Sequence, residues 1–260
     1  MTDYETIVFE QSGPIARITL NRPDAANAMN DTLTRELAHA AMRCDNSTIK
    51  AVILTGAGRF FSAGGDLRAM AASPGTRGHY VKTIADDLHR AISTFARMDA
   101  VLITAVNGVA AGGGFSLALT GDLVLASESA SFTMAYTAAG LSPDGSSTYY
   151  LPRLVGWRRA QELILTNRTV SAEDAAHWGL VTECVHDARL AARADELAKQ
   201  MATGARQSMS AVKKLLMSSF TNGLEEQMEW EGRLIAACAD SPDGEEGISA
   251  FLQKRPPRFA

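Results

Sequence analysis

The sequence predicts an α/β protein, and two features of its 260 residues lead to that prediction. Short apolar segments alternate with helical patterns through the first part of the chain, as expected when crossover helices join the strands of a sheet. After Val185 only helical patterns follow. We therefore expect a core over residues 1–195 and a helical oligomerisation region over residues 196–260.

Short runs rich in apolar and β-branched residues predict strands at 6–10, 15–20, 51–55, 101–106 and 123–126. Apolar residues that recur every three or four positions predict helices at 31–44, 79–98, 188–203, 208–219, 223–239 and 242–254. Ser171 and Asp174 form a capping box that predicts a helix ending near Gly179. The C-terminal helices carry more apolar side chains than a small region can bury, so we expect self-association.

Composition excludes several classes of protein. Lys and Arg number 25 against 29 Asp and Glu, a net charge of −4 with the signs mixed, which argues against a nucleic-acid or anionic-membrane surface. The cysteines Cys44, Cys184 and Cys238 are odd in number and lack CxxC spacing, so neither a disulfide framework nor a thiolate zinc site is expected. The first residues lack a basic stretch before an apolar run, and we expect a cytoplasmic protein without a membrane span.

Two glycine-rich turns each follow an apolar strand. A helix that begins at Gly113 would leave its first N–H groups unpaired, and Gly65 could present a second N–H to the same oxygen, which would make an oxyanion hole. The alternative is that these glycines only serve tight turns and close helix packing. Nucleotide-binding and HExxH motifs are absent. The segment around Ser116 lacks the last glycine of a nucleophile elbow, so we expect a small residue facing its helix.

Asp144 follows a proline and precedes a glycine, which predicts a sharp turn. It is either the N-cap of the next helix or a carboxylate, partly desolvated by Tyr136, Leu141 and Phe115, that moves protons. His89 lies on the helix before the 101–106 strand, where it could face the glycine-rich turns or simply pack. Four cations are candidates for contact with a phosphate-bearing ligand: Arg22, Arg68, Lys82 and Arg97.

Several ordered segments then point to a known family: NRPDAANAM, VILTGAGRFFSAGGDL, VNGVAAGGGFSLAL with GDLVLA after it, GLSPDGSSTYYLPRLVG, AEDAAHWGLV and GISAFLQKRPPRF. Together they resemble the crotonase (enoyl-CoA hydratase/isomerase) superfamily over nearly the whole chain. The resemblance implies a spiral of repeated ββα units with a C-terminal helical trimerisation region. It also implies homotrimers or dimers of trimers, acyl-CoA thioester substrates, and no metal or cofactor beyond the coenzyme A of the substrate.

The resemblance also implies roles for individual residues. The oxyanion-hole amides fall on Gly65 and Gly113, in agreement with the argument from the turns. The segment that holds coenzyme A through its main chain contains Ala63, Asp66 and Leu67. Tyr136 falls beside the substrate, and the positions that reach a neighbouring subunit's coenzyme A are Phe251 and Lys254.

The chain departs from typical hydratases in an informative way. Ser116 and Tyr136 occupy the positions of the two glutamates that activate water, whereas Asp144 matches the aspartate of ring-opening and double-bond isomerases, including the phenylacetate-pathway enzyme. We therefore expect an acyl-CoA isomerase with Asp144 as acid and base.

Five alternatives stay open. The chain also resembles 4-chlorobenzoyl-CoA dehalogenase, with Asp144 as nucleophile and His89 as base, although the aromatic cage is replaced at Gly65, Val81, Leu88 and Tyr136. A thioester hydrolase could use the same pair. The others are a hydratase without the glutamate pair, a serine hydrolase built on Ser116, and a non-catalytic acyl-CoA-binding oligomer.

Overall fold

The computed structural model describes residues 4–73 and 75–259, which form two β-sheets and eleven α-helices. The strands are β1 Ile7–Ser12, β2 Ile15–Leu20, β3 Ala51–Gly56, β4 Phe60–Ser62, β5 Val101–Val106, β6 Val109–Ala111, β7 Leu123–Ser127, β8 Ser131–Thr133, β9 Val170–Ser171 and β10 Glu183–Val185. The helices are α1 Asp31–Cys44, α2 Leu67–Ala72, α3 Arg77–Arg97, α4 Gly113–Ala118, α5 Ser147–Val155, α6 Trp157–Thr166, α7 Ala172–His177, α8 Leu190–Ala202, α9 Arg206–Ser218, α10 Leu224–Ala239 and α11 Pro242–Leu252. The α/β prediction is confirmed.

The larger sheet has the strand order β1-β2-β3-β5-β7-β10, and every pair except β1 with β2 is parallel. All six residues of β5 are buried, as is typical of a parallel strand covered on both faces. Helices α1 and α3 pack against each other on one side of the core. Helix α8 covers the other side through Leu190, Ala194 and Leu197.

The smaller sheet has the order β4-β6-β8-β9. Strands β4, β6 and β8 are mutually parallel, and each directly follows a long strand of the larger sheet. A long strand, a short strand and a helical segment therefore recur along the chain. This is the repeated ββα unit that the family resemblance implies.

The strands at 15–20 and 101–106 and the helix Asp31–Cys44 have the predicted bounds. The other predicted elements are present with ends that shift by at most two residues. The helix capped by Ser171 ends earlier than predicted, at His177. The capping itself is confirmed, because Ser171 Oγ accepts from the backbone N–H of Asp174 at 3.1 Å.

Helix α8 crosses residue 195, the predicted limit of the core, and packs on the larger sheet. The division into two regions remains a prediction. Farther along, α9 to α11 expose large apolar side chains, among them Leu216, Phe220, Leu224, Met228, Trp230, Ile235 and Ile248. Among the residues that the structure describes, none of the helices combines the length and apolarity that spanning a lipid bilayer requires.

Lys213 ties α9 to the end of the larger sheet. Its side chain is only 8% exposed, and Nζ lies 2.8 Å from Asp122 Oδ2. The same ammonium donates to the carbonyl oxygens of Phe95 at 3.0 Å and Ala100 at 2.8 Å. Burial raises the pKa of the Asp122 carboxyl, an effect that the charge of Lys213 opposes.

We expect Lys213→Met to lower the free energy of unfolding by about 2 to 3 kcal/mol, because Asp122 loses its cation in a partly buried site. The control is Lys214→Met, in which an exposed pair with Asp99 is lost and the expected change is below about 1 kcal/mol. Urea denaturation at one fixed protein concentration measures both variants. Equal losses would mean that the Lys213 contacts add nothing beyond a surface ion pair.

Candidate active site

A cavity of about 500 Å³ lies at the carboxyl ends of β4, β6 and β8. Because these strands run parallel, the residues that follow each of them meet at one edge of the smaller sheet. Strand β4 leads to Gly65, β6 to Gly113 and β8 to Tyr136. Helix α3 forms the opposite wall with apolar side chains. The lining includes Met29, Ala63, Gly65, Leu67, Met70, Val81, Ile84, Ala85, Leu88, His89, Gly113, Tyr136, Leu141 and Asp144.

The two glycine-rich turns touch each other through their backbones. Gly64 has φ of 86° and Gly112 has φ of 49°, conformations that favour glycine over residues with a Cβ. A Cβ at Gly64 would lie 2.6 Å from the Ala111 oxygen and 2.9 Å from the Gly113 nitrogen. The close approach of the turns therefore depends on the absence of that side chain.

The N–H groups of Gly65 and Gly113 donate to no protein acceptor within the described part of the chain. Gly113 begins α4, so its N–H has no partner inside the helix. On either side of Gly65, the Gly64 oxygen accepts from Met29 N at 2.7 Å and Asp66 N donates to the Met29 oxygen at 3.0 Å. The neighbouring peptides are thus fixed while the Gly65 N–H stays unpaired at the cavity.

Close packing accounts for another glycine of this segment. A Cβ at Gly114 would lie 2.2 Å from the Ser62 oxygen, so α4 sits tightly on β4. Both interpretations of the glycine-rich turns therefore hold, but for different residues: Gly114 permits packing, and Gly65 and Gly113 present amides.

His89 and Asp144 form a direct pair at the cavity. His89 Nε2 lies 2.7 Å from Asp144 Oδ1, and the two side chains are 47% and 38% exposed. Of the two positions that the sequence leaves open for His89, the structure shows the one at the glycine-rich turns, since His89 lines the same cavity as Gly65 and Gly113. The pair brings a carboxylate and an imidazole, two groups that move protons near neutral pH, to one site.

Asp144 is the one acidic residue among the residues that line this cavity. Its neighbours in the wall are mainly aliphatic, with Tyr136 the aromatic exception. Within residues 4–73 and 75–259, no three His, Cys, Asp or Glu side chains lie close enough together to hold a metal ion.

The loop that carries Asp144 is held through the main-chain oxygen of this residue. That oxygen accepts from Ser116 Oγ at 2.8 Å, from Ser147 Oγ at 2.9 Å and from the Tyr136 hydroxyl at 3.2 Å. The Tyr136 hydroxyl also lies 2.9 Å from Ser116 Oγ. Burial raises the pKa of Tyr136 to about 12, so the hydroxyl remains a neutral donor.

Three details of the sequence-based interpretation need correction. Ser116 does more than face its helix, because it joins α4 to the Asp144 loop. Asp144 is not the N-cap of α5, since that position is Ser146 and lacks a side-chain cap bond. Phe115 packs against Phe132 in the core and does not line the cavity with Asp144.

The residues expected to hold coenzyme A divide into two groups. Ala63 and Leu67 line the cavity. The Asp66 side chain caps α2, accepting from Ala69 N at 3.0 Å, and pairs with Arg22 at 3.0 Å. Burial alone would raise the pKa of Asp66, but the Ala69 N–H and the Arg22 guanidinium lower it below its usual range. The Asp66 main chain is engaged as well, since its N–H donates to the Met29 oxygen and its oxygen accepts from Met70 N at 2.9 Å.

Phe251 and Lys254 lie at the end of α11 and just beyond it. Neither is among the residues that line the cavity of the same chain. The Phe251 side chain is 82% exposed. Their assignment to a neighbouring subunit's site remains a prediction.

The sequence profile described as enoyl-CoA hydratase/isomerase matches residues 10–260. The chain belongs to the enoyl-CoA hydratase/isomerase family. The 1,2-epoxyphenylacetyl-CoA isomerase of Escherichia coli K12 is 38% identical over 94% of each chain. The 4-chlorobenzoyl coenzyme A dehalogenase-1 of an Arthrobacter species is 34% identical over 95% of this chain and 91% of the relative. A crystal structure of enoyl-CoA hydratase from Bacillus anthracis superposes with a TM-score of 0.92 at 30% identity, covering 98% of this chain and 99% of that one.

This membership confirms the resemblance and the crotonase-type fold predicted from the sequence motifs. The protein is an acyl-CoA enzyme of the enoyl-CoA hydratase/isomerase family. The relatives carry the names of an isomerase, a dehalogenase and a hydratase at similar identity. Family membership therefore does not determine the reaction, which depends on the side chains of the site.

We expect Tyr136→Phe and Ser116→Ala to loosen the Asp144 loop, because each substitution removes a hydroxyl that donates to the main-chain oxygen of Asp144. Faster hydrogen–deuterium exchange of a peptide covering residues 141–150 is the expected result, without loss of the global fold. The matched control is Tyr80→Phe, which removes an exposed hydroxyl beside Asp31 on another element. Unchanged exchange in both loop variants would contradict the assigned role.

Proposed function

We propose that the enzyme shifts a double bond, or opens a ring, in an acyl-CoA thioester through an enolate. The observation that carries this proposal is the placement of a single carboxylate, Asp144, in the cavity that also exposes the Gly65 and Gly113 amides. The amides bind the thioester oxygen, and Asp144 moves the proton. No step requires a redox group or a metal ion.

The two amides supply the stabilisation that makes proton loss accessible. A carboxylate is a weak base, and a carbon next to a thioester is a weak acid, so the enolate must be stabilised strongly. Two N–H donors without a protein acceptor among the described residues meet the negative charge as it develops on the thioester oxygen. The helix dipole of α4 at Gly113 acts in the same direction.

Asp144 serves as both base and acid in one cycle. Its carboxylate takes a proton from the α- or γ-carbon, and the electron pair of that C–H bond moves into the enolate. The carboxylic acid then returns the proton to the other carbon, so the double bond shifts with no net gain or loss of atoms. The His89 contact, and the loop held by Ser116 and Tyr136, orient the carboxylate for this relay.

The side chains around the cavity favour this reaction over the addition of water. By the family resemblance, ordinary hydratases use a pair of glutamates, whose positions Ser116 and Tyr136 occupy. In this structure both hydroxyls are engaged with the Asp144 main chain. A hydratase that works without the glutamate pair is therefore the weaker interpretation.

The second candidate is a dehalogenase or thioester hydrolase, and the direct contact of His89 with Asp144 favours it. In that reaction Asp144 attacks an electrophilic carbon of the substrate and releases halide or thiolate. Water activated by His89 then attacks the Asp144 carbonyl carbon of the resulting aryl ester or acyl-enzyme anhydride, which releases the product and restores the carboxylate with one oxygen from water. The mainly aliphatic wall of the cavity fits an activated aromatic ring less well.

The proposal extends to the assembly. A homotrimer or a dimer of trimers would cover the apolar side chains that α9 to α11 expose. It would also bring Phe251 and Lys254 toward the coenzyme A of a neighbouring subunit, while the segment that contains Ala63, Asp66 and Leu67 holds the adenine and pantetheine through its main chain. A cytoplasmic location belongs to the same proposal.

Replacement of Gly113 by proline tests the amide directly, because proline removes the N–H. We expect turnover to fall by about 100- to 1,000-fold. Gly113→Ala is the matched control, since it keeps the N–H and adds only a Cβ 3.3 Å from Met29 Sδ. Circular dichroism and thermal unfolding confirm that each variant folds. If the proline and alanine variants lose equal activity, the amide has no special role.

Asp144→Asn tests the carboxylate that both candidates require, and ¹⁸O labelling separates them. We expect turnover to fall by at least about 100-fold, with acyl-CoA binding retained. In a single turnover of the wild-type enzyme in ¹⁸O-water, a proton relay leaves the Asp144 carboxylate unlabelled, whereas an acyl-enzyme places ¹⁸O in it. Mass spectrometry of the peptide that contains Asp144 measures the label. Undiminished turnover by the asparagine variant would end both mechanisms.

A further inference from the structure

A second cavity, of about 790 Å³, lies beside the candidate active site between α3, α5 and α9. His89 lines both cavities, so its ring stands on the boundary between them. The lining residues of α3 that precede His89 belong to the first cavity, and those that follow it, Ile92, Ser93, Ala96 and Arg97, belong to the second. A substrate that passes Asp144 and His89 would therefore enter this space.

Much of the second cavity is apolar. Ile92 and Ala96 of α3 face Tyr149 and Tyr150 of α5, and Met217 of α9 contributes the third side. The Tyr149 hydroxyl donates to Met217 Sδ at 3.4 Å, which joins α5 to α9. The methylene chain of a long acyl group would find apolar contacts along this part of the cavity.

The charge of the lining is positive. Arg97 and Lys214 are its cations, and no acidic residue is among the lining residues. Lys214 pairs with Asp99 at 3.0 Å, a carboxylate that also pairs with Arg206 at 3.2 Å. Arg97, an exposed residue, donates to Ser93 Oγ at 2.6 Å and to the Ser93 oxygen at 3.4 Å, and has no carboxylate partner within the described part of the chain. One guanidinium is therefore left uncompensated beside an apolar cavity.

Tyr150 adds a neutral donor near this guanidinium. Its hydroxyl makes no hydrogen bond to a protein group among the described residues. Burial raises the pKa of Tyr150 to about 12, Tyr149 and the charge of Asp122 act in the same direction, and the charge of Arg97 opposes them. The lining described here thus presents a cation and an O–H donor and contains no carboxylate, and Asp122 is the anion whose charge reaches Tyr150 from outside the lining.

We propose that the second cavity binds the distal end of the acyl group and that this end carries a carboxylate. The substrate class would be long ω-carboxyacyl-CoA thioesters, with the carboxylate at Arg97 and Tyr150. This inference rests on the proposed function, because it places the thioester at Gly65 and Gly113. His89 and Arg97 are eight residues apart on α3, which is about 12 Å along the helix. Only chains long enough to span that distance beyond His89 reach Arg97.

Calorimetric titration tests the proposal without turnover. The probes are saturated ω-carboxyacyl-CoA thioesters of increasing chain length, each compared with its terminal methyl ester, so that the coenzyme A portion is common to both. We expect equal affinity for short chains. Once the chain spans the cavity, the carboxylate should bind roughly ten-fold more tightly than the ester.

Three variants of exposed arginines locate the effect. Arg97→Gln should abolish the preference for the carboxylate, and Arg97→Lys should keep part of it. Arg90→Gln is the matched control on the same helix, since Arg90 pairs with Asp87 outside both cavities, and it should bind like the wild-type enzyme.

The outcomes separate the two proposals. A lack of preference at every chain length, or a preference that survives in Arg97→Gln, overturns this inference while leaving binding of the methyl esters intact. If neither series binds, the proposed function fails together with it. A preference that appears only beyond a threshold length and disappears with Arg97 supports the inference.

Discussion

The site depends on the parallel pairing of three short strands. Val109 of β6 lies opposite Phe60 of β4 on one side and Ser131 of β8 on the other, so the three carboxyl ends lie at one edge. A change of register by one residue would turn the side chains that follow to the opposite face of the sheet. The contact of Gly64 with the Ala111–Gly113 backbone fixes the two turns further, because it leaves no room for a Cβ. The separation of the Gly65 and Gly113 amides is therefore a property of the backbone alone.

Asp144 is positioned through its main chain, and this leaves its carboxylate available. Three hydroxyls converge on the carbonyl oxygen, whereas the carboxylate has His89 as its side-chain partner. A carboxylate held by several donors would be a poor base, since each hydrogen bond to its charged form stabilises that form. The hydrogen bonds that fix the position of the loop therefore do not use the Asp144 carboxylate. Ser116 and Tyr136 contribute to it from the positions where, by the family resemblance, hydratases carry their glutamates.

The sequence predicted the long elements well because their patterns are long enough to be unambiguous. Helix Asp31–Cys44 combines helical spacing with an Asn30 cap, and the 101–106 strand is a continuous apolar run. Strands β4, β6 and β8 have three residues each and could not be predicted, since alternation needs more positions. Gly65 and Gly113 were found because glycine after a strand is a local signal. The bond from Ser116 to Asp144 joins residues 28 apart, and the second cavity needs three helices to meet, so neither has a local signal.

The same backbone geometry explains why relatives with different reaction names share this fold at similar identity. A peptide N–H survives every substitution except proline, so the two amides that we propose to stabilise an enolate do not constrain the surrounding side chains. Those side chains can then change which atom receives the proton or the nucleophile. In this chain the side chains in question are those of His89, Ser116, Tyr136 and Asp144. Each of them contacts another of the four or the loop that carries Asp144. These side chains are coupled through that loop, so a change of reaction requires more than the replacement of Asp144. The hydroxyls that bind the main-chain oxygen of residue 144 would still hold the loop in its present position.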